Sequence, residues 1–358
     1  MLKKALAGTL ACFAPAVFAQ ESDSLKLYGV LDIGVAYISN QYGKSAVTTN
    51  EAGLWGSRFG LTGVEDLGRG YNVFFDLQSG FNLSSGKSAQ GGRLFGRRSV
   101  VGLGTPFGKV SMGRDYDFVR DYLNPLNIGG YASVYSGHHG DFDHISGVRF
   151  DRTVRYTSPN FNGFTFGMMY AFGDETIGQT ISAGAGYKGA RLTAGVSYVR
   201  SKNTSPIYPW NQGGVTNFLG GTYGDFDAVS LDKKEIVGAG GGYDFGPVRL
   251  VANLTTTEMV EGNARERQRV YEFGAQIPVT KSLTAFAAWQ HSRMSGYRWN
   301  QPTVGAWYHL SKRTFLYTSL GYLKASKGVN ANQGAGFYFQ PSDNNRQAAF
   351  RSGIVHTF

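Results

Sequence analysis

Charge is the chemistry this chain carries. Four arginines, Arg58, Arg97, Arg98 and Arg155, lie in or beside segments of alternating apolar and polar residues. Asp115, Asp117, Asp121, Asp141 and Asp143 crowd one long intervening segment, together with His138, His139 and His144. A guanidinium stays charged at any working pH and offers a stackable plane. Arginines on one wall of an aqueous passage and carboxylates on the other would create a transverse field that orients small polar solutes and penalises apolar ones. Arg265, Arg267 and Arg269 recur at alternate positions, which puts three cations on one face of a strand. Such a row could meet the phosphates of lipopolysaccharide; the competing reading is a loop in which Glu266 is their local partner.

Catalysis has little to work with. Neither a nucleophile elbow nor a helical zinc motif is present, so no catalytic residue is assigned. The three histidines do not read as a metal site, because zinc needs three or four convergent ligands and adjacent histidines in an extended loop point to opposite sides. They read as an ordinary polar loop, with titration near pH 6 as one hypothesis for modulation. Gly184-Ala185-Gly186-Tyr187-Lys188-Gly189 spells a dinucleotide fingerprint but lacks the following helix. These glycines are expected to let a strand bend or side chains pack closely. No cofactor, metal or nucleic acid is implied.

The elements that must position these charges are strands. Leu25, Leu27, Leu31, Ile33, Val35 and Tyr37 face one way, and Lys26, Tyr28, Asp32 and Ala36 the other. Phe350, Ile354 and Phe358 oppose Arg351, Val355 and Thr357 in the same manner, and further ladders run from Phe164 to Phe172, Leu192 to Tyr198 and Tyr271 to Ile277. Residues 1–19 read as an export signal, with Lys3 and Lys4, an apolar middle and Val17-Phe18-Ala19 as the cleavage site. The one cysteine, Cys12, lies in that signal, so a disulfide scaffold is excluded. Beyond it no run nears the roughly 18 apolar residues of a membrane-spanning helix. The 51 glycines, 21 tyrosines and 25 phenylalanines against 10 prolines suit long two-faced strands with aromatic girdles. The formal charge of +10, which includes Lys3 and Lys4, favours anionic partners.

Connections come in two lengths. Short turns, such as 105–108, 159–163, 188–190, 245–247 and 311–313, alternate with longer polar loops around 39–53, 82–93, 202–234 and 326–346. In outer-membrane barrels the short turns face the periplasm. At about 21 residues per strand and connection, the chain beyond the signal makes roughly sixteen strands. Together these features predict an all-β fold: one transmembrane antiparallel β-barrel domain over residues 20–358. The segment from Asp115 to Arg149 is too long for an ordinary connection. Because a barrel this wide would otherwise be an open hole, this segment is expected to fold inward.

Alternation settles some of the arginines. Arg58 points inward if Phe59 and Leu61 face lipid, and Arg155 does so if Val154 and Tyr156 take the outer face. The phase of Val101 and Leu103 favours Arg98 over Arg97.

Several motifs, in order, carry a family resemblance. They are Leu27-Tyr28-Gly29-Val30-Leu31-Asp32, Gly56-Ser57-Arg58-Phe59-Gly60, Gly63-Val64-Glu65-Asp66-Leu67-Gly68, Gly92-Arg93-Leu94-Phe95-Gly96-Arg97, Gly108-Lys109-Val110-Ser111-Met112-Gly113-Arg114 and Val154-Arg155-Tyr156-Thr157-Ser158-Pro159, with the terminal Phe358. Across nearly the whole mature chain the sequence resembles the general porins of Gram-negative bacteria, in their beta-proteobacterial and Neisserial form. The resemblance implies a homotrimer of sixteen-stranded barrels whose third external loop narrows each pore. It implies a basic cluster at Arg58, Arg97 and Arg155, and it leaves Arg97 against Arg98 open. Phe358 resembles the signal read by the outer-membrane assembly machinery, a transient partner.

The resulting expectation is an outer-membrane, water-filled channel for passive diffusion of ions and small hydrophilic solutes, weakly anion-preferring. Two alternatives stand beside it: a solute-specific channel holding organic acids through the same arginines, and an adhesin acting through loops 202–234 and 326–346 with a sealed lumen.

Overall fold

A computed structural model of the protein describes residues 24–51, 53–132, 137–174, 177–336 and 340–358. The expected export signal lies outside the described residues. The first half of the wall is β1 (Ser24–Gln41), β2 (Lys44–Glu51), β3 (Arg58–Gly68), β4 (Tyr71–Gly80), β5 (Arg98–Thr105), β6 (Gly108–Tyr116), β7 (Arg149–Thr157), β8 (Phe164–Ala171), β9 (Thr180–Lys188) and β10 (Leu192–Lys202). Two-residue strands β11 (Asn217–Phe218) and β12 (Gly221–Thr222) form a separate hairpin within the loop that follows. The second half is β13 (Lys233–Asp244), β14 (Arg249–Glu261), β15 (Ala264–Pro278), β16 (Leu283–Met294), β17 (Tyr297–His309), β18 (Thr314–Ala325) and β19 (Arg346–Thr357).

The main sheet has seventeen strands. β2 and β3 both pair with β1, β3 through Ser24–Val30 and β2 through Ile33–Gln41, so these two occupy one stave and the wall has sixteen. The sheet closes where β1 pairs antiparallel with β19, Val30 opposite Thr357 through Ile38 opposite Ala349. Phe358 extends that seam through two backbone hydrogen bonds with Gly29, of 3.0 and 3.2 Å. Closure removes the unpaired edges that an open sheet would leave in hydrocarbon.

Alternation has sorted the side chains as the pattern requires. Leu25, Leu27, Val35, Tyr37, Phe350, Ile354 and Phe358 are exposed on the outer surface, while Asp32, Ala36, Arg351 and Val355 are buried inside. The region 39–53, expected as a long loop, is instead the β1–β2 hairpin with a tip at Tyr42-Gly43. A polar strand such as Lys44–Glu51 lacks the two-faced signature because it rises beyond the apolar band. The connections after β14 and β16 are likewise tight, so the alternation of loop lengths is imperfect.

Between β2 and β3 the wall breaks, and Leu54 and Trp55 turn into the lumen. Asp32 seats this turn. Its Oδ2 accepts from the backbone nitrogens of Leu54 and Trp55 at 2.6 and 2.9 Å, and its Oδ1 accepts from the Tyr317 hydroxyl at 2.9 Å and Arg351 at 3.3 Å. Trp55 then packs edge-on to Trp307 and Phe315, with ring centroids 5.8 and 5.4 Å away. A second apolar cluster roofs the outer mouth, where Val215, Phe218 and Leu231 meet Phe142, Trp299, Leu323, Val329 and Ala331.

Candidate functional site: the loop-lined lumen

Between β6 and β7, residues 117–132 and 137–148 lie inside the barrel and follow the inside of its wall. Helix α1 (Phe118–Tyr122) rests on β8, β9 and β10, the 3-10 turn Asn124–Leu126 on β13 and β14, and helix α2 (Ile128–Ala132) on β15, β16 and β17. Asp117 starts this path by capping α1, accepting from Val119 N at 3.1 Å.

The wall is cut to receive the loop. A methyl group added at Gly184 or Gly186 would come within 2.5 Å of the Tyr122 ring, and one at Gly240 within 2.8 Å of Leu126 Cδ1. Gly167, Gly195, Gly238 and Gly274 leave similar room for Phe118, Tyr122, Leu123 and Ile128. The Gly184-Ala185-Gly186 spelling therefore marks close side-chain packing and no phosphate cradle. Buried loop backbone also needs polar partners, and inward amides and an acid supply them. Asn253 donates to Leu123 O (3.3 Å), Gln268 to His139 O (2.8 Å) and Gln290 to Gly137 O (2.8 Å), while Glu272 accepts from Gly129 N (2.6 Å).

The three histidines are buried anchors. His138 Nδ1 lies 2.5 Å from Asp143 and its Nε2 3.0 Å from Glu272. His144 joins Asp117 (2.6 Å) to Lys234 Nζ (2.9 Å). His139 stacks on Trp299 at 4.4 Å, with Nε2 3.0 Å from Gly213 O. Burial alone would depress His138, but attraction to Asp143, with hydrogen bonds to Asp143 and Glu272, outweighs it and brings the pKa up to about 10. Burial carries His139 down to about 4. The expected titration near pH 6 therefore does not belong to these two imidazoles. It is Asp141 that moves there, pushed up to about 6 by burial and the neighbouring Asp143 charge.

Opposite the loop, the arginines gather on the inner face of β3 to β7. Arg58 Nη1 donates to Gly56 O at 2.9 Å. Arg98 spans Asp76 (3.1 Å) and Asp115 (2.8 Å), and Arg155 bonds Asp121 while lying 3.7 Å from Asp115. Arg97, one residue before β5, turns in as well, with Nε on Gln78 at 2.8 Å and Nη2 3.4 Å from the Tyr116 hydroxyl. The choice between Arg97 and Arg98 dissolves: strand phase directs one, and the chain leaving the loop directs the other. Arg149 and Arg120, missed from the sequence, join the group, Arg149 donating to the Tyr116 hydroxyl at 2.7 Å and Arg120 to Asn124 at 2.6 Å.

Of the five acids, Asp115 and Asp121 meet arginines, and Asp115 belongs to β6. Asp117 and Asp143 do not, because His144 and His138 hold them against the wall. Asp141 is turned onto Ser146. Glu272 and Lys234, the wall ends of the histidine bridges, also escaped sequence reading. A lone inward charge in a strand looks like any solvated one when its partner lies 134 or 90 residues away.

Arg265, Arg267 and Arg269 are exposed on the outer face near the external rim. Their acid is not Glu266, which turns to Ser295 (2.9 and 2.7 Å). Cross-strand Glu258 takes Arg267 at 2.7 Å and Arg265 at 3.7 Å, since residues directly opposite on one face of a sheet are closer than sequence neighbours.

Known proteins resemble this chain in sequence and in fold. Residues 5–328 match the family model described as Gram-negative porin. Outer membrane porin protein 32 of Delftia acidovorans is 29% identical, covering 100% of both chains. An outer membrane porin protein of Bordetella pertussis is also 29% identical, over 90% of this chain and 94% of its own. Among solved structures, the anion-selective porin from Comamonas acidovorans superposes with a TM-score of 0.80 at 25% identity, covering 94% of this chain and 100% of that one. With a closed barrel, an inward loop and a family match over most of its length, this chain belongs to the Gram-negative porins, outer-membrane channels for passive diffusion.

Proposed function

We propose that the channel prefers anions, and that Arg58, Arg97, Arg98 and Arg155, together with Arg120 and Arg149, set this preference where they face the inward loop. The observation that carries the reading is an imbalance on the arginine wall. Arg58, Arg120 and Arg149 are hydrogen-bonded to a carbonyl, an amide and a phenol among the described residues, so their charges are not met by carboxylates. A ring of uncompensated cations concentrates anions and repels cations. Asp115 and Asp121 temper it, which keeps the preference weak. The relative from Comamonas acidovorans, named anion-selective, supports the same direction. Reversal potential across a potassium chloride gradient tests it: wild type reverses on the chloride side and Arg58→Glu moves toward potassium. A wild-type reversal on the potassium side would end the reading.

The family resemblance supports a homotrimer, exported by the segment 1–19 and inserted through recognition of Phe358. The outer rim supports contact with lipopolysaccharide phosphates. Arg200, Lys202, Arg265, Arg267, Arg269, Arg293 and Arg298 are exposed there, and Glu235 and Glu258 are the acids that face them. Reversing Arg265, Arg267 and Arg269 to glutamate lowers lipopolysaccharide retained on purification; unchanged retention refutes the contact.

A further inference from the structure

Behind the inward loop lies a cavity of about 350 Å³ that shares Arg149 with the arginine wall. It sits at the outer ends of β7 to β10 and β13, bordered by Phe172, Asp174, Ile177 and Gly178 and by residues of the 204–212 loop, with His144 and Val148 of the inward loop as its inner side. Its volume is in the range of small-molecule pockets, which are mostly apolar with a few directed polar groups. Phe150, Ile177, Pro206 and Ile207 supply the apolar lining.

Its charges are unequally met. Arg93 and Arg114 share Asp151, at 2.7 and 2.5 Å, and Arg152 holds Asp174 at 2.5 Å. Asp141 also lines the cavity and is engaged by Ser146. Two cations remain. Lys234 is 6% exposed and spends one of its three donors on His144 Nε2. Arg149 bonds the neutral Tyr116 hydroxyl, and its buried Nε has no hydrogen-bond partner among the described residues. A buried donor left unmet is costly, and an anionic oxygen would meet it.

We propose that this cavity is a binding site for a small organic anion, with a carboxylate head toward Lys234 and Arg149 and an apolar body against Phe150, Ile177 and Ile207. Inorganic anions lack the apolar part and pass by. An occupant places a negative charge beside Arg149, at the approach to the arginine wall, and so reduces chloride flux while it is bound. The site thereby gives the pore a chemical preference among anions without changing its width.

The test is single-orientation recording of the full-length channel in potassium chloride, with benzoate as the probe and neutral benzamide as the control. External benzoate lowers chloride conductance saturably and benzamide does not. Ser205→Trp, which fills the cavity from an exposed loop position, and Lys234→Met each weaken the block at least tenfold. If Lys234→Met fails to insert, Ser205→Trp alone decides. A block of equal strength from both faces that survives Ser205→Trp would put benzoate among the arginines and overturn the assignment, as would no block at all. The sign of the wild-type reversal potential is read without benzoate, so failure of the anion preference is seen separately.

Discussion

His138 on the inward loop and Glu272 on β15 meet at 3.0 Å, both fully enclosed, while the other ring nitrogen of His138 sits 2.5 Å from Asp143. Removing one member of a buried charged group leaves the rest uncompensated, at about 3–5 kcal/mol. His138→Leu and Glu272→Ala are therefore expected to release the loop rather than the barrel. Open-channel current noise should rise and a protease should cut between 117 and 148, while strand content by circular dichroism stays unchanged.

The same contact sets a pH limit. His138 has a folded-state pKa of about 10 against an ordinary 6.5. Its contribution is complete below about 6.5 and is lost as pH rises through about 10, because the released loop gives up its proton first. On the acid side His139, held down at about 4, and Asp141, raised to about 6, change loop stability in opposite directions. Current noise is expected to grow from pH 8 to pH 10, and this growth should vanish in His138→Leu. A flat alkaline response in the wild type would contradict the charge assignment.

Gly184 and Gly186 make a different prediction. Gly184→Val drives a branched side chain into the Tyr122 ring, and overpacking of this kind costs about 1–3 kcal/mol. The loop should shift toward the arginines, so conductance falls, whereas Gly220→Val, where an added carbon meets nothing within 4 Å, should leave it as it is apart from strain at a positive φ.

Asp115 accepts from Arg98 at 2.8 Å and lies 3.7 Å from Arg155. Asp115→Asn removes one negative charge from the arginine wall. A unit charge at 4 Å is worth about 1 kcal/mol in water, so the anion-to-cation permeability ratio should rise by up to about fivefold. A fall in that ratio would show that the arginines do not govern permeation.

Much of the barrel could be read from side-chain alternation, since Leu25 to Tyr37 and Phe350 to Phe358 must sort to two faces whatever surrounds them. Arg58 and Arg155 could be oriented by the same logic. What alternation cannot convey is which inward groups touch. The bridges Glu272–His138 and Lys234–His144 join residues far apart in the chain, and the turn at Leu54-Trp55 depends on Asp32, Tyr317 and Arg351 from three other strands. The glycines at 184 and 186 were a visible signal of close packing, but only the Tyr122 ring on α1 gives them meaning.

The path of the inward loop is inscribed in staves that follow it in the chain. Tyr122, Leu123 and Ile128 have no seat until β9, β13 and β15 are all in the wall, and the histidine anchors wait for β13 and β15 as well. The throat can therefore reach its final bore only once those later staves are in place, so the filter depends on the completion of the cylinder that holds it.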